Sequence, residues 1–202
     1  MDRPFLRRRQ MLMYLGLGAV ATGVTATVLH RARTTTTNTA TPVVVPELPQ
    51  SSPVNVSTGE MVLPEFQGIT DWLNSAPLTI AGLKGKVVLL QFWTFGCINC
   101  QRTLPYITRW HQQYGGQGLQ VIGVHTPEFA YEREINNIKA ALKQHKITYP
   151  VPIDNAFKTW NAYQNEYWPH LFLADRQGII RYDRIGEGAY DRTEQMIRQL
   201  LA

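Results

Sequence analysis

Hydrophobic and polar positions divide the chain into unlike stretches. From Gln10 to Leu29 no side chain is charged, long enough for a bilayer-spanning helix at about 1.5 Å per residue. Residues 34–58 show no periodicity and are dominated by Thr, Pro and Ser, with Glu47 the one charge. From about residue 60 the pattern becomes globular. Residues 86–93, KVVLLQFW, are almost wholly apolar and rich in β-branched side chains, as a strand covered on both faces requires. CQRTLPYITRWHQQY then predicts a helix closed by Gly115-Gly116, and LQVIGVH (119–125) a second buried strand. Tyr131, Ile135, Ile138 and Leu142 recur at helical spacing and predict an amphipathic helix over about 130–146. After YPVPID comes a short helix near 155–164. Two strands follow in HLFLADRQGIIRYDRIG, joined by a turn at Asp175-Arg176-Gln177-Gly178. A last helix, 190–201, should bury Met196, Ile197, Leu200 and Leu201. The order β-α-β-α, hairpin, helix predicts a three-layer α/β sandwich with a mixed central sheet.

Charge refines this division. The chain has a formal charge of +5, and residues 1–33 account for it, with six arginines against Asp2. The other 169 residues carry fourteen basic and fourteen acidic side chains (20 − 6 and 15 − 1). A neutral globular part offers no electrostatic footprint for a polyanion, which argues against nucleic acid as a partner. The basic cluster belongs to targeting instead. Arg8-Arg9-Gln10-Met11-Leu12 resembles a twin-arginine export signal, and Ala19-Val20-Ala21 offers a small-residue cleavage site. Retained, residues 10–29 would anchor the chain with its N-terminus in the cytoplasm. Either way the main domain is expected outside the cytoplasm. The expected division is a signal or anchor at 1–33, a linker at 34–58 and one domain at 59–202. The prolines of the linker favour an extended tether of several tens of ångströms, at about 3 Å per residue.

The chain has two cysteines, Cys97 and Cys100, separated by Ile98-Asn99. Zinc needs about four ligands, and the five histidines include no H-x3-5-H pair to complete them. A purely structural disulfide across so short a loop would restrict the unfolded chain little. Thiol–disulfide exchange has a physical basis here. The pair sits where a buried strand turns into a helix, so Cys97 falls near the N-cap. Free amides and the positive end of the helix dipole there favour a thiolate. Cys97 would attack a partner disulfide and Cys100, in the first helical turn, would resolve the mixed disulfide, with no metal or other cofactor.

From these residues the chain resembles the thioredoxin superfamily over roughly residues 75–202. VVLLQFWTFGCINCQRTLP matches the family's strand, active-site turn and helix, with Pro105 at the family's helix-kinking proline. Trp168-Pro169 falls at its cis-proline, which backs onto the disulfide and offers backbone groups to an extended substrate. ITDWLNSAPLTIAGLKGKVVLLQFWTFGCINCQ, VIGVHTPEF, NEYWPHLFLADRQGIIRY and GEGAYDRTE together resemble the thioredoxin-like domain of DipZ-type proteins, within the group that includes TlpA and ResA. That resemblance implies an extracytoplasmic, tethered oxidoreductase supplied with electrons by a separate membrane donor of the CcdA type. Two positions depart from the pattern: Gln91 stands where thioredoxin carries a buried aspartate, and Thr103 where the TlpA/ResA group often carries a glutamate. Glu128, at the end of the second core strand, is the candidate for proton transfer, or else a solvated helix-start glutamate. His125 and His170 are further candidates near strand ends. Trp93 and Trp168 are expected to wall a substrate groove around Pro169, with a purely core role as the alternative.

Three functions are consistent with these readings. The first is reduction of disulfides in exported proteins, including the haem-binding cysteines of c-type cytochromes. Ile98-Asn99 supplies no histidine to make the pair an oxidant. The second is a thiol peroxidase, since Thr94 stands three residues before Cys97 as in peroxiredoxins, although Leu90 stands seven residues before the cysteine, where that family carries a proline. The third is a thioredoxin-fold binding module that does no chemistry.

Overall fold

Why the strand Val87–Trp93 (β2) can be apolar throughout is clear from its neighbours. The computed structural model describes residues 60–202, and in it β2 lies inside a four-stranded sheet, between the strands 119–125 and 170–174, with 180–185 at the edge beyond the latter. Leu119–His125 (β3) runs parallel to β2, whereas His170–Ala174 (β5) and Ile180–Ile185 (β6) are antiparallel additions. Alternate side chains of β2 serve different cores. Val87, Leu89 and Trp93 meet Leu104, Ile107 and Trp110 of the helix Ile98–Tyr114 (α1) and Ile197 of the helix Tyr190–Leu201 (α4). Val88, Leu90 and Phe92 meet Ile122, Val124, Phe172, Trp160 and Tyr163 on the opposite face. This is the thioredoxin-like α/β sandwich with a mixed sheet, as its sequence predicts. The proposed signal or anchor at 1–33, its span at 10–29 and the linker at 34–58 lie outside the described residues. Among the described residues no helix is long and apolar enough to cross a membrane.

Shorter elements complete the domain. Trp72–Leu73 (β1) pairs with Val151–Pro152 (β4), and Lys158–Ala162 forms α3. The buried Asp154 carboxylate begins α3 by accepting the Lys158 and Trp160 N–H groups at 2.9 and 2.8 Å. The hairpin turn closes as expected: Asp175 Oδ1 accepts the Gln177 and Ile179 N–H groups, both at 3.0 Å, and Gly178 takes a φ of 85°.

One predicted element is corrected. The helix expected over 130–146 is a 3-10 turn at Ala130–Arg133 followed by Ile135–Gln144 (α2), broken by extended Glu134. Tyr131, which the spacing places on the buried stripe, is half exposed, while Glu132 is fully buried. The Glu132 carboxylate turns inward to backbone amides, and a helix continuous through it would aim that side chain elsewhere.

Glu194 fastens α4 to α1. Its carboxylate accepts the Tyr114 hydroxyl at 2.7 Å, Trp110 Nε1–H at 3.2 Å, and the guanidinium groups of Arg109 and Arg198 at 2.8 and 2.6 Å. These donors, Tyr114 first, hold the carboxyl down to about 2. A carboxylate so depressed stabilises the fold fully above its ordinary value of 4.5, and the contribution is lost as pH falls through about 2. Glu194→Gln is therefore expected to cost about 1.5–3 kcal/mol above pH 5, the range for hydrogen bonds to a charged group. Urea unfolding of the two proteins should converge below pH 2, and a pH-independent difference would contradict the assignment.

Candidate active site

The site forms where β2 ends. After Trp93 the chain turns through Thr94, Phe95 and Gly96, and Cys97 becomes the N-cap of α1 with extended backbone (φ −79°, ψ 115°). Its sulfur accepts the Cys100 N–H at 3.3 Å. Both thiols are free; Cys97 is partly exposed and Cys100 fully buried. Their acidities separate accordingly. The Cys100 thiol hydrogen-bonds the Cys97 sulfur, and the Cys100 and Asn99 amides add to this, so Cys97 falls to about 6 against the opposing effect of its partial burial. Burial, and that same hydrogen bond, push Cys100 strongly upward. The Glu128 charge raises both thiols.

On the far side of Cys97, the Trp168–Pro169 peptide bond is cis, and the Trp168 carbonyl oxygen lies 3.9 Å from Cys97 Sγ. The Trp168 indole donates to the Thr126 carbonyl at 3.0 Å and packs 4.1 Å from the Trp160 ring. Cys97, Cys100, Trp168 and Pro169 are thus brought together.

Trp93 is not part of that groove. It is fully buried on the α1 face, with its indole N–H donating to the Gly123 carbonyl at 3.2 Å. Strand alternation puts it on the same side as Val87 and Leu89, beneath the turn and away from solvent.

The other candidates occupy distinct positions. Glu128 is exposed on the loop after β3. His125 is fully buried behind the turn, stacked on Phe95 at 5.7 Å, and burial lowers it to about 4, so it is neutral at pH 7. Thr94 is also buried, its hydroxyl 3.4 Å from His125 Nε2 and without a hydrogen bond to Cys97, an arrangement that does not favour peroxide binding. His170 lies on the face of β5 opposite α1, against Phe172 at 4.0 Å and within 2.6 Å of Asn165 and 3.2 Å of Asp183; burial lowers it despite Asp183. Gln91 and Thr103, the two departures, are partners: Gln91 Nε2 donates to Thr103 Oγ1 at 2.7 Å, which donates to the Cys100 carbonyl at 2.7 Å. No titratable group stands in that chain. Among the described residues no His, Cys, Asp and Glu cluster could hold a metal.

Sequence reasoning passed over Glu132. Its Oε1 accepts the Gly96 N–H at 2.8 Å, and its Oε2 accepts those of Glu128 and Phe129 at 2.6 and 2.8 Å. The available signal was the Phe129-x-x-Glu132 spacing, in which a glutamate reaches back to the amide three residues earlier.

The AhpC/TSA family matches residues 62–183. Protein DipZ of Mycobacterium bovis is 46% identical over 141 residues, covering 68% of this chain and 20% of DipZ, so the chain spans about a fifth of that relative's length. The thiol-disulfide oxidoreductase ResA of Bacillus cereus is 30% identical over 132 residues, covering 65% of this chain and 73% of ResA. Among solved structures, the thioredoxin-like superfamily protein SPOA0173 superposes with a TM-score of 0.65 at 28% identity, over 70% of this chain and 97% of that one.

Proposed function

Because the chain belongs to the AhpC/TSA family and has a thioredoxin-like fold, we propose that it is a thiol–disulfide oxidoreductase that reduces disulfides of exported proteins. The observation that carries this reading is the division of labour between the two sulfurs. Cys97 is partly exposed and acidified at a helix N-terminus beside the Trp168 carbonyl, and Cys100 is buried and holds its proton. The Cys97 thiolate attacks one substrate sulfur, forming a mixed disulfide and expelling the other sulfur as a thiol once protonated. Cys100 gives up its proton and attacks Cys97 Sγ. The substrate leaves as a dithiol and the Cys97–Cys100 disulfide remains, two electrons having moved to the substrate.

The cycle then needs two electrons to regenerate the dithiol, and a separate membrane donor of the CcdA type is the proposed source. Residues 1–33 are proposed to export the domain or anchor it through residues 10–29, with the N-terminus in the cytoplasm and the domain outside. Disulfides formed by cytochrome c haem-binding cysteines are one substrate of the proposed class.

Cys100→Ser is the direct test. The variant should retain substrates covalently at Cys97 and release them with dithiothreitol. A folded variant that captures no protein disulfide would sink the reading. Direction has its own measurement, the reduction potential of the pair. A value near that of strong dithiol oxidants, about −120 mV, would exclude a reductant.

A further inference from the structure

Glu132 is fully buried and, among the described residues, forms no ion pair. A buried carboxylate is tolerated where hydrogen bonds replace its hydration. Here three backbone N–H groups do so, from two separate segments. One oxygen holds Gly96, the residue before Cys97; the other holds Glu128 and Phe129, in the loop after β3. The approach to Gly96 is so close that a Cβ there would collide with the Glu132 carboxylate and the Tyr131 hydroxyl. Aromatic contacts reinforce the same junction, with Phe95 5.7 Å from both His125 and Tyr131.

Resting on the reading of Cys97 as the attacking thiol, we propose that Glu132 is a positioning residue. Its carboxylate fastens the turn carrying Cys97 to the loop carrying Glu128, and so keeps the first amides of α1 aimed at the sulfur. Glutamine cannot substitute. Its one carbonyl oxygen can serve either Gly96 or the Glu128–Phe129 pair, and its own NH2 would oppose the remaining N–H.

The titratable groups around Cys97 are Cys100 on α1, Glu128 on the loop after β3, and His125 behind the turn; the segment leading into β5 contributes the Trp168 carbonyl. Once the turn is released, the Asn99 and Cys100 amides lose their alignment and Cys97 becomes less acidic. A direct effect of the Glu132 charge would have the opposite sign, because removing a nearby negative charge makes a thiol more acidic.

The experiment is the pH dependence of Cys97 alkylation by iodoacetamide in the reduced protein. The wild-type rate should inflect near pH 6. In Glu132→Gln the inflection should move upward and the rate at pH 7 fall about tenfold, as the thiolate fraction falls. Gly96→Ala, which displaces the turn from the carboxylate, should shift it the same way and serves if Glu132→Gln does not fold. Glu194→Gln should lower stability without moving the profile. An unshifted profile in folded Glu132→Gln would overturn the proposal, leaving the carboxylate a fold staple, and a downward shift would overturn it in favour of direct charge. A wild-type protein with no inflection below pH 8 would instead count against Cys97 as the attacking thiol.

Discussion

Replacing Cys97 with serine is expected to reduce turnover of a protein disulfide to the uncatalysed background. The reason is that the remaining thiol cannot take over. Cys100 has no exposed surface and burial holds its proton, so it can attack only a disulfide that includes Cys97. Wild-type Cys97, held near 6, is ionised about ten to one at pH 7, against a few per cent for an ordinary thiol of about 8.5. That is roughly thirtyfold more thiolate at the same pH. The sign follows: single-turnover attack should rise about tenfold per unit of pH below 6 and level off above 7. Stopped-flow reduction of a model disulfide across this range measures both effects. Residual turnover in Cys97→Ser above about a hundredth of wild type, or a wild-type rate still climbing past pH 8, would contradict the assigned order of attack.

What the amino-acid sequence revealed depends on how locally each feature is determined. The almost wholly apolar run in residues 87–93 was legible because two cores share one strand, and the Cys97 N-cap because the strand ends where the helical pattern begins. β1 and β4 are two residues each, too short for a period to show. Gln91 and Thr103 could be singled out separately, but twelve residues separate them, and only the packing of α1 on β2 makes them a hydrogen-bonded pair. Glu132 was the least legible. In a helical reading it is a surface glutamate on an amphipathic helix; its burial comes from Gly96, thirty-six residues earlier, and no local pattern records that contact. The site's most exposed acid and its most buried one thus sit four residues apart, with Glu132 holding the backbone of Glu128.

Trp93 was misplaced for a different reason, and the correction carries a large expected effect. An aromatic residue four positions before a reactive cysteine invites a groove reading. Its parity with Val87 and Leu89 instead sends it into the α1 core, where it is fully buried and bonds the Gly123 carbonyl. Gly123 is matched to it, since a Cβ there would lie 3.0 Å from the indole nitrogen and 2.7 Å from the Tyr149 ring. Trp93→Ala should therefore cost about 3–5 kcal/mol in urea unfolding, from lost apolar contact and the cavity left behind. It also strips the indole donor from a buried carbonyl. Trp93→Phe, which fills most of the volume but also lacks the donor, should recover the larger part of the loss. A groove residue would behave in the opposite way: truncation would leave unfolding within about 0.5 kcal/mol of wild type, the usual limit for surface changes, and raise KM for a protein disulfide. The two outcomes separate a tryptophan that supports the turn beneath Cys97 from one that meets the substrate.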